Sequence, residues 1–326
     1  MGTRLALALV WLLHFLPYAW LARLGDGLGR LLGRVPSERQ RVVLTNLALC
    51  FPQMSEIDRR RLASDHFAAF MRSVLDRGIA WWSSRERLAR IVQIEGREHF
   101  TAVAHRPRIL LAPHFVGLDI GAQRMAADYP AVSMYSKQKS AVFDAFLRAK
   151  RNRFGSVTLV SRQDGLRPVL RALRAGGTLY YLPDMDFGAR DSIFVPFFGV
   201  PAATIPALSR LVRLTGAVVV PCVTEQLPGR QGYRVRLYPA WPDDFGQAAG
   251  DRGGYDHGAG GRGRHDDGED NRSEDVRAED EPGAREYDET RQLNAFIEAR
   301  VAEMPAQYYW LHKRFKTRPP DVASVY

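Results

Sequence analysis

The chain has 326 residues, with 46 Lys and Arg against 36 Asp and Glu, a formal charge of +10. Its 46% hydrophobic and 25% charged content excludes collagen-like and wholly disordered chains, and the length suffices for one large domain or two modest ones. Two cysteines, Cys50 and Cys222, exclude a disulfide scaffold and offer no CxxC spacing for zinc, while the basic balance leaves nucleic acid, an anionic membrane surface or an acidic protein as partners.

The first expected element is a membrane helix. Leu5 to Ala22 reads LALALVWLLHFLPYAWLA, eighteen residues without a formal charge. As a helix these span roughly 27 Å, close to the hydrocarbon thickness of a bilayer. Trp11, Tyr18 and Trp20 are amphipathic rings of the kind found at membrane interfaces. Pro17 would kink the helix, and His14 is a tolerable neutral guest. A cleaved signal peptide would need a small-residue cleavage site, which the RLGDGLGRLLGRVP following Ala22 does not supply. A helix lying in the interface is the remaining rival, because an amphipathic, arginine-bearing stretch continues from Gly25 to Val35. The expectation is one uncleaved anchor over residues 1–24, a single-pass or deeply embedded helix. Arg23, Arg30, Arg34, Arg39 and Arg41 follow it, so the body lies on the cytoplasmic side.

Residues 25–95 are expected to form a helical, membrane-proximal region. Leu44, Leu47 and Phe51 recur at helical spacing, as do Phe67, Phe70 and Met71. Pro52 interrupts, and Ser55 with Asp58 three residues on reads as a cap. Residues 96–326 change texture. Apolar runs at 108–112, 178–182, 193–198, 217–223 and 233–238 read as strands, and helical patterns lie near 141–153, 164–175 and 204–215. The fold class is therefore α/β, a largely buried sheet flanked by helices. Residues 243–287 break the pattern with 10 Gly and 14 acidic residues against 6 Arg. They read as a disordered acidic surface insertion. Its net charge of −8 leaves +18 on the remainder. Leu293, Phe296, Ile297 and Val301 then form one helical face.

The chemistry centres on one histidine. In LLAPHFVGLDIG, a buried strand runs out at Ala112, Pro113 stops it and His114 follows in the turn. Asp119 lies five residues on. On one helix the two side chains would stand about 140° apart. They can meet if His114 is in the loop and Asp119 in the first helical turn, with Gly117 letting the backbone fold tightly. A carboxylate on one imidazole nitrogen makes the other a competent base, which suits direct activation of a substrate hydroxyl.

His114-Phe-Val-Gly-Leu-Asp119 resembles the HX4(D/E) motif of glycerolipid-type acyltransferases, and the chain as a whole resembles the bacterial lipid A biosynthesis (lauroyl/myristoyl) acyltransferases. Asn46 to Pro52 is similar to their NL-x-x-x-FP element, and Leu182 to Gly188 to their PD-x-D-x-G loop. Val195 to Gly199 with Ala202 and Thr204 resembles VPFFG-x-x-A-x-T, and Tyr308 to Pro319 resembles the terminal Y-x-W-x-H-x-RFKTRP signature. Three features depart from the pattern. Asp119 stands where close relatives more often carry Glu, Ser136 where many place Arg, and residues 243–287 have no counterpart.

The resemblance implies a glycerolipid-acyltransferase-like mixed sheet. It also implies transfer of an acyl chain from acyl carrier protein to a hydroxyl of a lipid A precursor at the bacterial inner membrane. His114 would be the general base and Asp119 would orient it. Arg151 and Asp184 match active-site positions, with Arg151 suited to an anionic group. The thioester supplies the leaving group, so no cofactor and no metal are expected. Lys137 and Lys139, with Arg148, Lys150, Arg151 and Arg153, read as a patch for the acidic carrier or for lipid phosphates. Lys313, Arg314, Lys316 and Arg318 invite the same reading. Phe187, Phe197 and Phe198 are candidates for an acyl channel or for the core. The alternative acceptor is another glycolipid or an amino-acid-derived lipid. A nucleic-acid binder is disfavoured, since no helix-turn-helix, zinc finger or stacking motif is present.

Overall fold

The structure, a computed structural model, describes residues 2–246 and 282–326. The expected disorder of the acidic insertion falls largely outside these residues. At its edges the chain is ordered: Phe245 is buried, and a helix begins at Pro282.

The amino terminus departs from the expected single span. The apolar run is broken into α1 (Gly2–Leu13) and α2 (Tyr18–Arg34) at Pro17, which has no N–H to continue the helix. Among the described residues no helix is long and apolar enough to cross a membrane. Both helices instead lie on a long helix, α4 (Glu56–Trp82), reached through α3 (Glu38–Cys50). The reason is a run of glycines on one face. A Cβ on Gly25 would stand 2.6 Å from Arg72 Cα, and one on Gly29 would stand 2.2 Å from the Phe67 carbonyl oxygen. Spacing of four places both on the α4 side, so the backbones meet closely. On α1's side, a Cβ on Gly78 of α4 would stand 2.7 Å from the Val10 carbonyl oxygen. Ser55 caps α4 as expected, accepting from Asp58 N at 3.2 Å.

After α5 (Arg85–Ile91), the chain enters a seven-stranded sheet through β1 (Val92–Glu95) and α6 (Arg97–Thr101). There follow β2 (Arg108–Leu111), α7 (Leu118–Asp128), β3 (Ala131–Tyr135), α8 (Ala141–Arg151), β4 (Val157–Ser161), α9 (Arg167–Arg174) and β5 (Thr178–Tyr181). A separate antiparallel hairpin comprises β6 (Ile193–Phe197) and β7 (Val200–Thr204). The chain then completes α10 (Ala207–Thr215), β8 (Val218–Gln226), β9 (Tyr233–Leu237) and α11 (Pro282–Glu303). The order is β1-β9-β8-β2-β5-β3-β4, parallel throughout except where β8 meets β9. All five expected strands are present. β1, β3, β4 and β7, each four or five residues long, lie outside the runs read as strands in the sequence.

Both faces of the sheet are covered. Ile109 and Leu111 pack into one core with Leu47, Leu293, Ile297 and Trp310. Leu110 and Ala112 point the other way, into a core with Leu21, Ile79, Ile120 and Tyr180. Strands buried on both sides read as continuous apolar runs, which is why β2 and β8 were legible. Cys50 and Cys222 are free and buried, and among the described residues no cluster of potential metal ligands occurs.

Candidate active site

Two neighbouring parallel strands deliver the central pair. Leu111 of β2 stands in register with Tyr181 of β5. Each strand then runs through one residue and a proline to a polar side chain: Ala112-Pro113-His114 and Leu182-Pro183-Asp184. Equal spacing from a shared register brings the two together. His114 Nδ1 meets Asp184 Oδ1 at 2.7 Å, and the backbone N–H of His114 donates to both carboxylate oxygens at 3.2 and 3.0 Å. Asp184 is 2% exposed. Burial works against its charge, but His114 and the hydrogen bonds from it, with Arg314, hold the carboxyl below its ordinary value. The bond from Nδ1 leaves Nε2 of His114 directed to other partners, and His114 lines a cavity.

Asp119 does sit in the first turn of α7, as expected. Its partner, however, is Arg77 of α4, whose Nε donates to Oδ2 at 2.8 Å, and Arg151 stands 3.7 Å from Oδ1. Burial opposes ionisation of Asp119, and Arg77 and Arg151 more than offset it, so its pKa is lowered. The expected contact through which Asp119 would orient His114 is thus corrected. The carboxylate on Nδ1 is Asp184, and Asp119 is engaged by guanidinium groups. Arg77, which the sequence reading missed, has no motif around it. It faces the site only because α4 packs on α7. Gly117 has ordinary dihedrals, φ −78° and ψ 0°. Its lack of a side chain serves close approach instead: a Cβ there would stand 2.9 Å from Thr224 Cγ2, and one on Gly121 would stand 1.9 Å from Thr224 Oγ1.

His114, Asp119, Arg77 and Arg151 line one end of a cavity of about 470 Å³. Apolar side chains of α7, β3, β4 and α8 continue it away from the polar end, among them Met125, Leu147 and Leu159. Lys137 and Lys139 lie outside it, exposed on the loop between β3 and α8. Of the other cations near them, Lys150 stands over the Trp82 ring at 5.2 Å and Arg148 over Tyr135 at 5.7 Å. Phe187, Phe197 and Phe198 do not line the cavity. Phe197 is in the core, and exposed Phe187 lies under Arg162 at 3.6 Å.

The remaining motifs lock the His114 and Asp184 loops. The terminal segment lies along the His114 turn: Tyr309 N donates to His114 O at 2.9 Å, and Val116 N to Gln307 O at 2.8 Å. His312 Nε2 accepts from Asp186 N at 2.8 Å. Burial and Arg314 press its pKa down to about 4, which keeps that nitrogen a lone-pair acceptor at neutral pH. The Asp186 carboxylate accepts from Thr317 N at 2.7 Å and from Thr317 Oγ1 at 2.8 Å. Fully buried Arg314 donates to the Ala203 carbonyl and to Thr204 Oγ1, each at 2.9 Å, tying in the hairpin. Asn46 Nδ2 donates to the carbonyls of Trp310 and His312, both at 2.8 Å. Arg314, read as a docking cation, is therefore an interior tie, and Lys313 pairs with Glu38 at 2.8 Å.

The family model for bacterial lipid A biosynthesis acyltransferases matches residues 1–251 and 275–317. The chain is 31% identical over 328 residues to a lipid A biosynthesis lauroyltransferase of Escherichia coli K12, covering 99% of this chain and 94% of the relative. It is 26% identical to a palmitoleoyltransferase of the same organism with the same coverage. To a myristoyltransferase of that organism it is 30% identical, over 92% of this chain and 82% of the relative. Matches of this extent, together with the five motifs converging on His114, show that the chain belongs to the bacterial lipid A biosynthesis acyltransferase family.

Proposed function

We propose that the protein transfers a fatty acyl group from acyl carrier protein to a hydroxyl of a lipid A precursor, with His114 as general base. The observation that carries this is the buried Asp184 carboxylate on Nδ1, 2.7 Å away, beside a cavity that His114 shares with many apolar side chains, among them Met125, Leu147 and Leu159. Nε2 takes the acceptor hydroxyl proton as its oxygen attacks the thioester carbonyl. Asp184 fixes the tautomer and stabilises the imidazolium. The tetrahedral intermediate collapses, the C–S bond breaks, and the imidazolium returns its proton to the departing thiolate. Arg77 and Arg151, spaced by Asp119, offer two guanidinium groups to an anionic head group at the cavity mouth. Lys137 and Lys139 are exposed nearby for an acidic carrier.

The site of action in this reading is the cytoplasmic face of a bacterial inner membrane. Leu5, Leu9, Leu12, Trp20 and Leu31 are between 55 and 75% exposed on α1 and α2. Such an apolar surface suits insertion into the interfacial region of a bilayer rather than a span. Purified protein given acyl carrier thioester and lipid A precursor should yield the acylated lipid by mass spectrometry. His114→Ala should lower the rate by at least about a hundredfold while staying folded. Retained activity in a folded His114→Ala protein would remove the mechanism.

A further inference from the structure

The relatives carry different acyl groups in their names, lauroyl, palmitoleoyl and myristoyl, on chains alignable almost end to end with this one. A local feature of the acyl cavity is the economical way to set such a difference. In this chain the cavity follows one face of α7 from Leu118, beside the catalytic end, through Ala122 and Ala126 to Tyr129. It also reaches Ala131 and Val157, the first residues of β3 and β4, at the amino ends of the parallel strands, whereas His114 and Asp184 follow the carboxyl ends of β2 and β5. The cavity therefore extends along the strands from their carboxyl ends to their amino ends.

Tyr129 at the far end is held on several sides. Its ring meets the buried Phe100 edge-on, with centroids 4.9 Å apart. Its hydroxyl accepts from Arg97 Nη1 at 3.0 Å, and the same nitrogen pairs with Asp128 at 3.0 Å. Resting on the acyl-transfer reading above, we propose that Tyr129 is the stop that sets the length of the bound acyl chain. Ala126, one turn nearer the catalytic end, keeps the channel open. From Leu118 to Tyr129 the helix advances about 16 Å, and β3 spans about 13 Å. An extended alkyl chain with C–C bonds near 1.5 Å advances about 1.25 Å per carbon, so this length holds roughly ten to thirteen carbons. The preferred substrate is an acyl chain of about laurate length.

The test is displacement of a fluorescent fatty acid from the full-length protein by octanoate, decanoate, laurate, myristate and palmitate. It is run beside a transfer assay offering a mixture of the corresponding acyl carrier thioesters. The wild type should prefer laurate. Ala126→Phe should shift the preference to decanoate or shorter, weakening laurate relative to octanoate by about tenfold or more, since each unburied methylene is worth about fourfold. Tyr129→Ala should move it to myristate or palmitate, and Tyr129→Phe, which keeps the ring, should leave it unchanged. If Tyr129→Ala does not fold, Ala126→Phe decides. An unchanged order of preference in Ala126→Phe, or no displacement from the wild type by any of these acids, overturns the proposal. The two readings fail separately. A wild type that sorts fatty acids by length but acylates no lipid A precursor retains the stop and loses the transfer reading. Active variants with unaltered product lengths do the reverse.

Discussion

At the scale of single residues, His114 and Asp184 were both legible in the sequence, but their partnership was not. Proximity in the chain favours Asp119, and only the register of β2 and β5 puts Asp184 on Nδ1. The signal was present as a repeated x-Pro-polar ending after two apolar strands, but it has meaning only once those strands are neighbours. Asp119 was placed correctly on α7 and given the wrong partner, because Arg77 comes from a helix distant in sequence. Another buried residue carries a pH dependence. His66 Nδ1 bonds the Ala306 carbonyl at 2.9 Å, its Nε2 is buried with no partner among the described residues, and burial lowers its pKa to about 4 from 6.5. The unfolded chain takes up this proton near 6.5 and the folded chain only near 4. The stability it contributes is therefore present above 6.5 and lost as pH falls through that window. The unfolding free energy of the wild type relative to His66→Asn should drop by up to about 3 kcal/mol between those pH values. Denaturant titrations at several pH values measure this, and a constant difference would refute it.

At the scale of elements, the sheet was readable because its central strands are apolar on both faces, and α4 and α11 because their apolar residues recur at helical spacing. The amino terminus was misread for a specific reason. Hydropathy sums over Leu5–Ala22, whereas Pro17 divides the run and Gly25 and Gly29, four apart, bind α2 to α4. A small residue every fourth position marks close helix packing, and weighing that pattern would have argued against a single span. Gly29→Ala should therefore force α2 off α4 and cost about 1–3 kcal/mol or more. Gly27→Ala meets nothing within 4 Å and should be neutral or stabilise by up to about 1 kcal/mol through helix propensity. Thermal melts of the two variants make the comparison, and equal melting temperatures would contradict the packing account.

At the scale of the molecule, the motifs scattered from Asn46 to Arg318 prove to be one construction. The terminal segment bonds the His114 turn, the Asp186 loop, the hairpin and α3, so residues that look like a basic docking tail hold these loops in place. The sequence could reveal the motifs but not this joint role, because no single spacing links segments more than a hundred residues apart. The +18 charge outside the acidic segment and the exposed apolar residues of α1 and α2 together favour an anionic bilayer. Replacing Leu5, Leu9 and Leu12 by Ser should weaken co-sedimentation with phosphatidylglycerol vesicles by at least about tenfold. Undiminished sedimentation would show that another surface binds. Steady-state kinetics of Asp184→Asn beside Asp119→Asn decide whether the proposed base is the His114–Asp184 pair, with Asp119 serving the head-group site. Asp184→Asn should lower kcat by about a hundredfold or more with KM for the lipid acceptor little changed, while Asp119→Asn should act mainly by raising that KM. A collapse of kcat in Asp119→Asn with near-normal turnover in Asp184→Asn would contradict it.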